Sequence, residues 1–303
     1  MSATTSTETA SDSTLGNSAP PASPKKSWFP RISMAIIALA WSIPTLGLIV
    51  TSFRPLNDAE SSGWWQVFYK SEYLTNLTFA NYSEAIDKAS LGRAFVNSFA
   101  ITLPATFIPI LIAAFAAYAF TFMEFKGRDI LFLAIVSLLV VPNYVAFVPI
   151  QKLYGQVGLG GSFATVWLAH IGFGMSLAIY ILRSYMATLP RTIIESAKID
   201  GASHFQTFWK LVLPMSVPAL ASFAIFQFLW VWNDLLVALV FLGPSEETRP
   251  VTVALKNSLL SQQGSGANLV AAGGLFTMIV PIIVFLALQR YFVRGMTAGA
   301  VKG

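Results

Sequence analysis

Six apolar runs, each long enough to cross a bilayer, constrain this chain more than any other feature of it. A helix needs about 20 mostly apolar residues to cross about 30 Å of hydrocarbon. The runs at about Ile32–Phe53, Phe95–Met123, Ile130–Gln151, Phe163–Leu182, Met215–Leu242 and Leu269–Phe292 meet that length. Backbone polar groups inside lipid must be satisfied within their own segment, so the runs predict six transmembrane helices in an all-α integral membrane protein. Composition agrees, since 11% of the 303 residues are charged and 55% are hydrophobic, where a soluble domain carries about 25% charged residues. Every run but the fourth holds proline: Pro44, Pro104 and Pro109, Pro142 and Pro149, Pro218, and Pro281. Membrane helices tolerate proline where neighbours satisfy the freed carbonyls, so kinks around a pathway and ordinary tolerance both fit.

Residues 1–27 are rich in Ser, Thr, Ala and Pro and have almost no large apolar side chain. Such a segment buries too little surface to offset its chain entropy and is expected to be disordered. It is not expected to be a signal peptide, because the first apolar run spans a full bilayer and no small-residue cleavage site follows it. Residues 28–303 then form one transmembrane domain. Lys25, Lys26, Arg31 and Trp28 precede the first run as an interfacial anchor. Placing the N-terminus in the cytoplasm puts twelve of the 19 Lys and Arg residues on the inside, among them Lys126, Arg128, Arg183, Arg191, Lys198 and Lys210. The positive-inside rule therefore predicts a multi-pass protein of a bacterial cytoplasmic (inner) membrane, with both termini cytoplasmic.

The first external segment, about Arg54–Arg93, holds Trp64, Trp65, Phe68 and Tyr69, which predict a short helix at the lipid interface more readily than a partner surface. In the second run Ala113 and Ala117, with Ala116 and Ala119, allow close helix approach. The segment Gly243–Asn268 is polar, with a Gly-Ser-Gly tip; alone it reads as a solvated loop, although it is long enough to reach an external partner.

One acid falls well inside an apolar run. Asp234 follows Asn233 in FLWVWNDLLVAL. An intramembrane carboxylate must be paired, hydrated or protonated, so Asn233 and Asp234 are candidates for a translocation pathway, and a polar cap between helices is the structural alternative. His170 is expected at the outer interface. The chain has no P-loop, no H-E-x-x-H and no G-x-S-x-G. It has no cysteine and two histidines, so no metal site is predicted. No enzyme activity is expected of it, and an ion-coupled carrier or channel, the alternative function, would have one buried acid to work with.

The most polar internal stretch, Arg183–Leu220, separates the fourth and fifth runs. Leu189-Pro190 should end one helix and open another. TIIESAKI reads as that helix, with Thr192 and Glu195 at capping-box spacing. Gly201 after Asp200 supplies a left-handed turn. A second short helix is expected over about Ser203–Leu211, stopped by Leu213-Pro214. Two short helices with apolar faces need something to pack on, either their own bundle or a partner.

Within this stretch Glu195-Ser196-Ala197, Asp200-Gly201-Ala202 and Leu211-Val212-Leu213-Pro214 resemble the cytoplasmic loop signature of permease subunits of bacterial ABC importers. The family pattern is Glu-Ala-Ala, a glycine a few residues on, then an apolar-x-Leu-Pro; Ser196 for alanine is the departure. The likeness extends over about Leu91–Gly303, through FVNSF, WND and QRYFVRGMTAGAVKG. It is closest to the second permease of maltose, trehalose and α-glucoside systems, whose six spans agree.

The resemblance implies a type I ABC importer permease fold with a cytoplasmic coupling helix-turn-helix at 183–214. It implies two ATPase subunits, a second permease and an external solute-binding protein as partners, in contact with membrane lipid and without nucleic acid. ATP and magnesium would reside on the ATPases, with no cofactor on this chain. Glu195, Ser196, Ala197, Asp200, Gly201, Ala202, Leu211, Leu213 and Pro214 would form the coupling element. In it Glu195 would bond to the ATPase, Ala197 allow close approach, and Gly201 make the turn. Gly299, Val301, Lys302 and Gly303 resemble a tail that reaches the ATPases, and Gly243–Asn268 resembles a loop that touches the binding protein. ATP-driven rocking between inward- and outward-facing states would import a di- or oligosaccharide or α-glucoside.

Overall fold

The computed structural model describes residues 28–260 and 266–298, whose regular elements are all helical. The N-terminal segment at 1–27, the loop tip at 261–265 and the terminal Gly299–Gly303 lie outside the described residues. In chain order the principal helices are α1 (Phe29–Phe53), α2 (Ala80–Lys88), α3 (Leu91–Phe122), α4 (Arg128–Ser137), α5 (Asn143–Gln156), α6 (Phe163–Met186), α7 (Arg191–Ile199), α8 (His204–Thr207), α9 (Val217–Trp232), α10 (Leu236–Leu242), α11 (Val251–Leu255) and α12 (Ala267–Ala298), with shorter turns of helix at Leu56–Ser61, Ser71–Thr75 and Leu213–Met215. Residues 1–44 and 45–303 form separate units. In the first, the opening turns of α1 expose apolar side chains such as Ile36, Leu39 and Trp41. A helix apolar all round is suited to lipid or protein surroundings.

Four helices, α1, α3, α6 and α12, are long and apolar enough to cross a membrane, and two bent pairs bring the number up to six. The third run is not one rod. Val141 and Pro142 are both extended, with ψ of 122° and 119°, and Arg128–Val140 meets α5 at 101°. The Pro142 ring clashes with an α-helical residue before it, which forces the break. The fifth run is also divided. His204–Met215 meets α9 at 72°, and Asn233–Leu235 interrupts the helix again before α10. Pro218 lies in the first turn of α9, where its missing N–H has no partner to lose, so it opens a helix and does not kink one.

The core of the second unit forms where small residues let helices approach. Ala113, Ala114 and Ala117 of α3 are fully buried with Ala178 and Leu182 of α6, close packing of the kind that holds membrane helices together. A second cluster joins Phe228 and Trp232 of α9, stacked at 5.7 Å, to Ala254 of α11 and Ala272 of α12.

The segments between α1 and α3 and between α10 and α12 depart from expectation. Trp64–Phe68 is a 3-10 turn; Trp65, Phe68 and Tyr69 are exposed as an interfacial belt requires, but Trp64 turns inward onto Gly47. A Cβ at Gly47 would lie 2.7 Å from the Trp64 indole nitrogen. Arg54 is 1% exposed. Its guanidinium donates to the Ser62 carbonyl at 3.0 Å, to the Asp58 carbonyl and to the Ser62 hydroxyl. Asn81 of α2 donates to the carbonyls of Ser52 and Arg54, both at 2.8 Å, and accepts from Asn268 of α12.

Gly243–Asn268 is not a simple solvated loop. Its α11 buries Val251, Val253 and Ala254, and Asn97 and Ser98 of α3 pin it. Asn97 donates to the carbonyls of Glu247 and Arg249, and the Ser98 hydroxyl accepts from the Val251 N–H at 2.9 Å. The apolar VTVAL inside a polar frame drives this burial.

Candidate functional site

The polar stretch after α6 folds back onto the core in two arms joined at Gly201. The first arm, α7, starts at Arg191 with Pro190 as its cap and no side-chain cap bond. Thr192 therefore sits two residues past the cap position, and the expected Thr192–Glu195 box does not form. The reciprocal box forms at the second arm. The Ser203 hydroxyl accepts from the Gln206 N–H at 3.2 Å, and the Ser203 N–H donates to Gln206 Oε1 at 2.9 Å.

Gly201 performs as its sequence position predicts. Its φ is +78°. The Gly201 N–H reaches the Lys198 carbonyl at 3.0 Å, and the Ala202 N–H reaches the Ala197 carbonyl at 2.9 Å. These two bonds make a Schellman turn, which satisfies the last carbonyls of α7 and reverses the chain.

One face of α7 is buried and the other is bare. Ile194 enters the core cluster of Tyr118, Leu182 and Met186, and Ala197, three residues on, is buried as well. Glu195, Ser196, Asp200 and Gly201 are exposed, and Ile199 is 86% exposed. Ala202 is half-buried. A cavity of about 360 Å³ lies between the Gly201 turn and Gln206, Lys210 and Leu211.

The second arm runs longer than expected. After α8, Phe208–Val212 is a π-helical turn, and Leu213–Met215 completes it. The Leu213 N–H bonds back to the Phe208 carbonyl. A regular α-turn would set the Pro214 ring against the Lys210 carbonyl, and the wider turn relieves that clash. Phe208 stacks on Phe115 of α3 at 4.4 Å. Val212 is fully buried, whereas Leu211 and Leu213 are half-buried and Pro214 is exposed. The buried anchors Phe208 and Val212 fall between the motif positions, so the motif did not mark them.

Asn233 and Asp234 sit in the break between α9 and α10. Asp234 Oδ2 accepts from the Ala238 N–H at 3.1 Å and so caps α10, while the Asp234 carbonyl accepts from the Thr252 hydroxyl at 2.6 Å. Asn233 is exposed and bonds back to the Leu229 carbonyl at 2.8 Å. His170, expected at the interface, is instead fully buried, with Nε2 3.8 Å from Asp234 Oδ2 and its ring edge-on to Trp230 at 5.3 Å.

Neither Asn233 nor Asp234 lines a second cavity, of about 710 Å³. That cavity occupies the break in the third run, walled by Pro142 and Asn143, by Gly172 and Phe173 of α6, and by Gln227 and Trp230 of α9. No contiguous sequence motif announces it, because the residues come from three separate runs.

Bilayer-length helices, a cavity at a broken span and a rigidly turned polar loop define a multi-pass membrane transport component. Residues 109–298 match the family described as binding-protein-dependent transport system inner membrane component. The osmoprotective compounds uptake permease protein GgtD of Synechocystis sp. is 51% identical over 90% of this chain and 91% of that protein. The alpha-glucoside transport system permease protein AglG of Rhizobium meliloti is 51% identical over 83% of this chain and 68% of that protein. A crystal structure of a bacterial ABC transporter involved in import of the acidic polysaccharide alginate shares the fold, with a TM-score of 0.72 at 21% identity over 87% of this chain and 95% of the other. The chain belongs to the binding-protein-dependent transport inner membrane family, and it is a permease component of an ABC importer.

Proposed function

We propose that the importer carries a neutral carbohydrate of the α-glucoside class, and that separate ATPase subunits drive this permease through the Arg183–Pro214 segment. The Gly201 turn carries the reading. It closes α7, which is anchored in the core by Ile194 with Ala197 also buried, and leaves Glu195, Ser196, Ile199 and Asp200 bare. An exposed isoleucine beside a glutamate and an aspartate fits a cleft on a partner, and a rigid helix transmits a push that a flexible loop would absorb. Glu195 offers charge and hydrogen bonds to that partner, and Gly201 sets the turn. The segment then lies in the cytoplasm with both termini, as the basic residues favour. A second permease and an external binding protein complete the assembly. ATP and magnesium stay on the ATPases, and the Gly243–Asn268 segment faces the binding protein.

The sugar class rests on AglG, named for alpha-glucosides. GgtD, named for osmoprotective compounds, favours a second reading in which the substrate is an osmoprotectant of another class. The test is uptake by the purified assembly with its own binding protein, comparing trehalose with glycine betaine. Trehalose uptake that requires ATP supports the carbohydrate reading; uptake of glycine betaine alone replaces it. Uptake by this chain without ATPases, driven by an ion gradient, contradicts both.

A further inference from the structure

We propose that this chain carries a carbohydrate-contact site of its own, in the cavity at the break of the third run. The proposal rests on the carbohydrate reading above and adds to it the residues that touch the sugar. At about 710 Å³ the cavity falls within the size range of small-molecule sites. Within a largely aliphatic lining it presents what a pyranose needs: aromatic faces for the C–H side of the ring, and the amides of Asn143 and Gln227 for the hydroxyls.

The aromatic wall is fixed in place. Trp230 and Phe226 come from α9 and Phe173 from α6, and the His170 ring stands at 88° to Trp230. The polar group is Gln227, which is fully buried. Its Nε2 donates to the Ala105 carbonyl at 3.1 Å, while its Oε1 has no hydrogen-bond partner among the described residues. A buried amide oxygen without a donor is unfavourable; it is covered in this structure, and a turn of the amide toward the cavity would give it a sugar hydroxyl as donor. Asn143 places a second amide on the opposite wall, at the start of α5. A lipid chain or an apolar helix in the same space would leave the Gln227 oxygen unpaired.

The glycines of α6 make the room. A Cβ at Gly174 would lie 2.8 Å from Gln227 Oε1, so the amide occupies space that any side chain there would take. A Cβ at Gly172 would meet nothing within 4 Å, so a side chain added there enters the cavity without displacing the backbone. The wall from the third run is itself broken at Pro142, and the other two come from α6 and α9, so the cavity can change shape when the runs move relative to one another.

The experiment uses the complete importer with its own binding protein in proteoliposomes, ATP inside and radiolabelled trehalose outside. Gly172→Leu fills the cavity, Trp230→Ala removes the platform, Trp230→Phe keeps an aromatic face, and Val145→Leu is an exposed change away from the cavity. With assemblies that still co-purify, Gly172→Leu and Trp230→Ala are expected to lower trehalose uptake roughly tenfold or more, with Trp230→Phe close to the parent and Val145→Leu unchanged. Uptake unaffected in both cavity variants overturns the site. Loss of the second permease from both variants on purification also overturns it, because the cavity is then a subunit interface. If the parent importer takes up glycine betaine and no trehalose, the carbohydrate reading itself fails; a parent that imports trehalose alongside unaffected variants defeats only the site.

Discussion

The Tyr118 hydroxyl lies 3.0 Å from Nδ1 of His204. This bond joins the second arm of the polar loop to the second span, beside the Phe115–Phe208 stack. The polar loop is thus tied to a long helix by a polar contact and by aromatic packing, and both lie in the arm that leads to the 72° bend before α9.

Tyr118→Phe removes the bond and keeps the ring, which lies edge-on to Phe208 at 5.5 Å. A single such hydrogen bond contributes about 1 kcal/mol. The assembly should remain intact, with fewer sugars imported per ATP hydrolysed. Uptake and hydrolysis measured on the same vesicles check this; an unchanged ratio removes the pair from the coupling route.

Gly201 separates folding from docking. Aspartate and asparagine tolerate left-handed backbone better than most residues, and a Cβ at 201 meets nothing within 4 Å in this chain. Gly201→Asp and Gly201→Asn should therefore both insert in the membrane. Gly201→Asp is expected to abolish ATPase co-purification or transport, because it adds a charge beside Asp200 on the docking face. If only the aspartate variant fails, charge is responsible; if both fail, the partner approaches too closely for any side chain. Normal transport by Gly201→Asp contradicts docking at this turn.

Asp234 acts as a helix cap in this structure, and a cap needs an oxygen more than a charge. Asp234→Asn retains an acceptor for the Ala238 N–H, so transport should be normal between about pH 5 and pH 8. Asp234→Ala removes the cap and should destabilise the protein by about 1 kcal/mol, seen as a lower unfolding temperature. A pH-dependent transport defect in Asp234→Asn would instead assign the carboxylate to gating.

Arg54→Met leaves the Asp58 and Ser62 acceptors without their donor. The loss should be about 2–4 kcal/mol, expressed as faster proteolysis within residues 54–90. Cleavage at the parent rate would show that the guanidinium does not hold that segment.

Much of this architecture was readable from residue order. Bilayer-length apolar runs marked the spans, and Asp200-Gly201 marked the turn because a local backbone requirement leaves a local signature. The breaks were less legible. Pro142 and Pro218 look alike in sequence, yet one interrupts a span and the other opens a helix, depending on where each falls in its helix. The Ser203-x-x-Gln206 cap was present as a pattern, but Thr192-x-x-Glu195 has the same spacing, and only the position of Pro190 decides between them. VTVAL was too short to stand out inside a polar loop, and its burial depends on Asn97 and Ser98, more than 140 residues away in sequence. The cavity draws on three runs and had no linear signal.

The most direct test of ATPase-driven coupling uses the absence of cysteine from the chain. Ser196→Cys, on the exposed face of α7, gives this subunit a single thiol that can carry a short photo-crosslinker in the assembled importer. An adduct to an ATPase subunit is expected, in a yield that changes when ATP binds. An adduct confined to lipid, the second permease or this chain itself, with none to an ATPase, would contradict it.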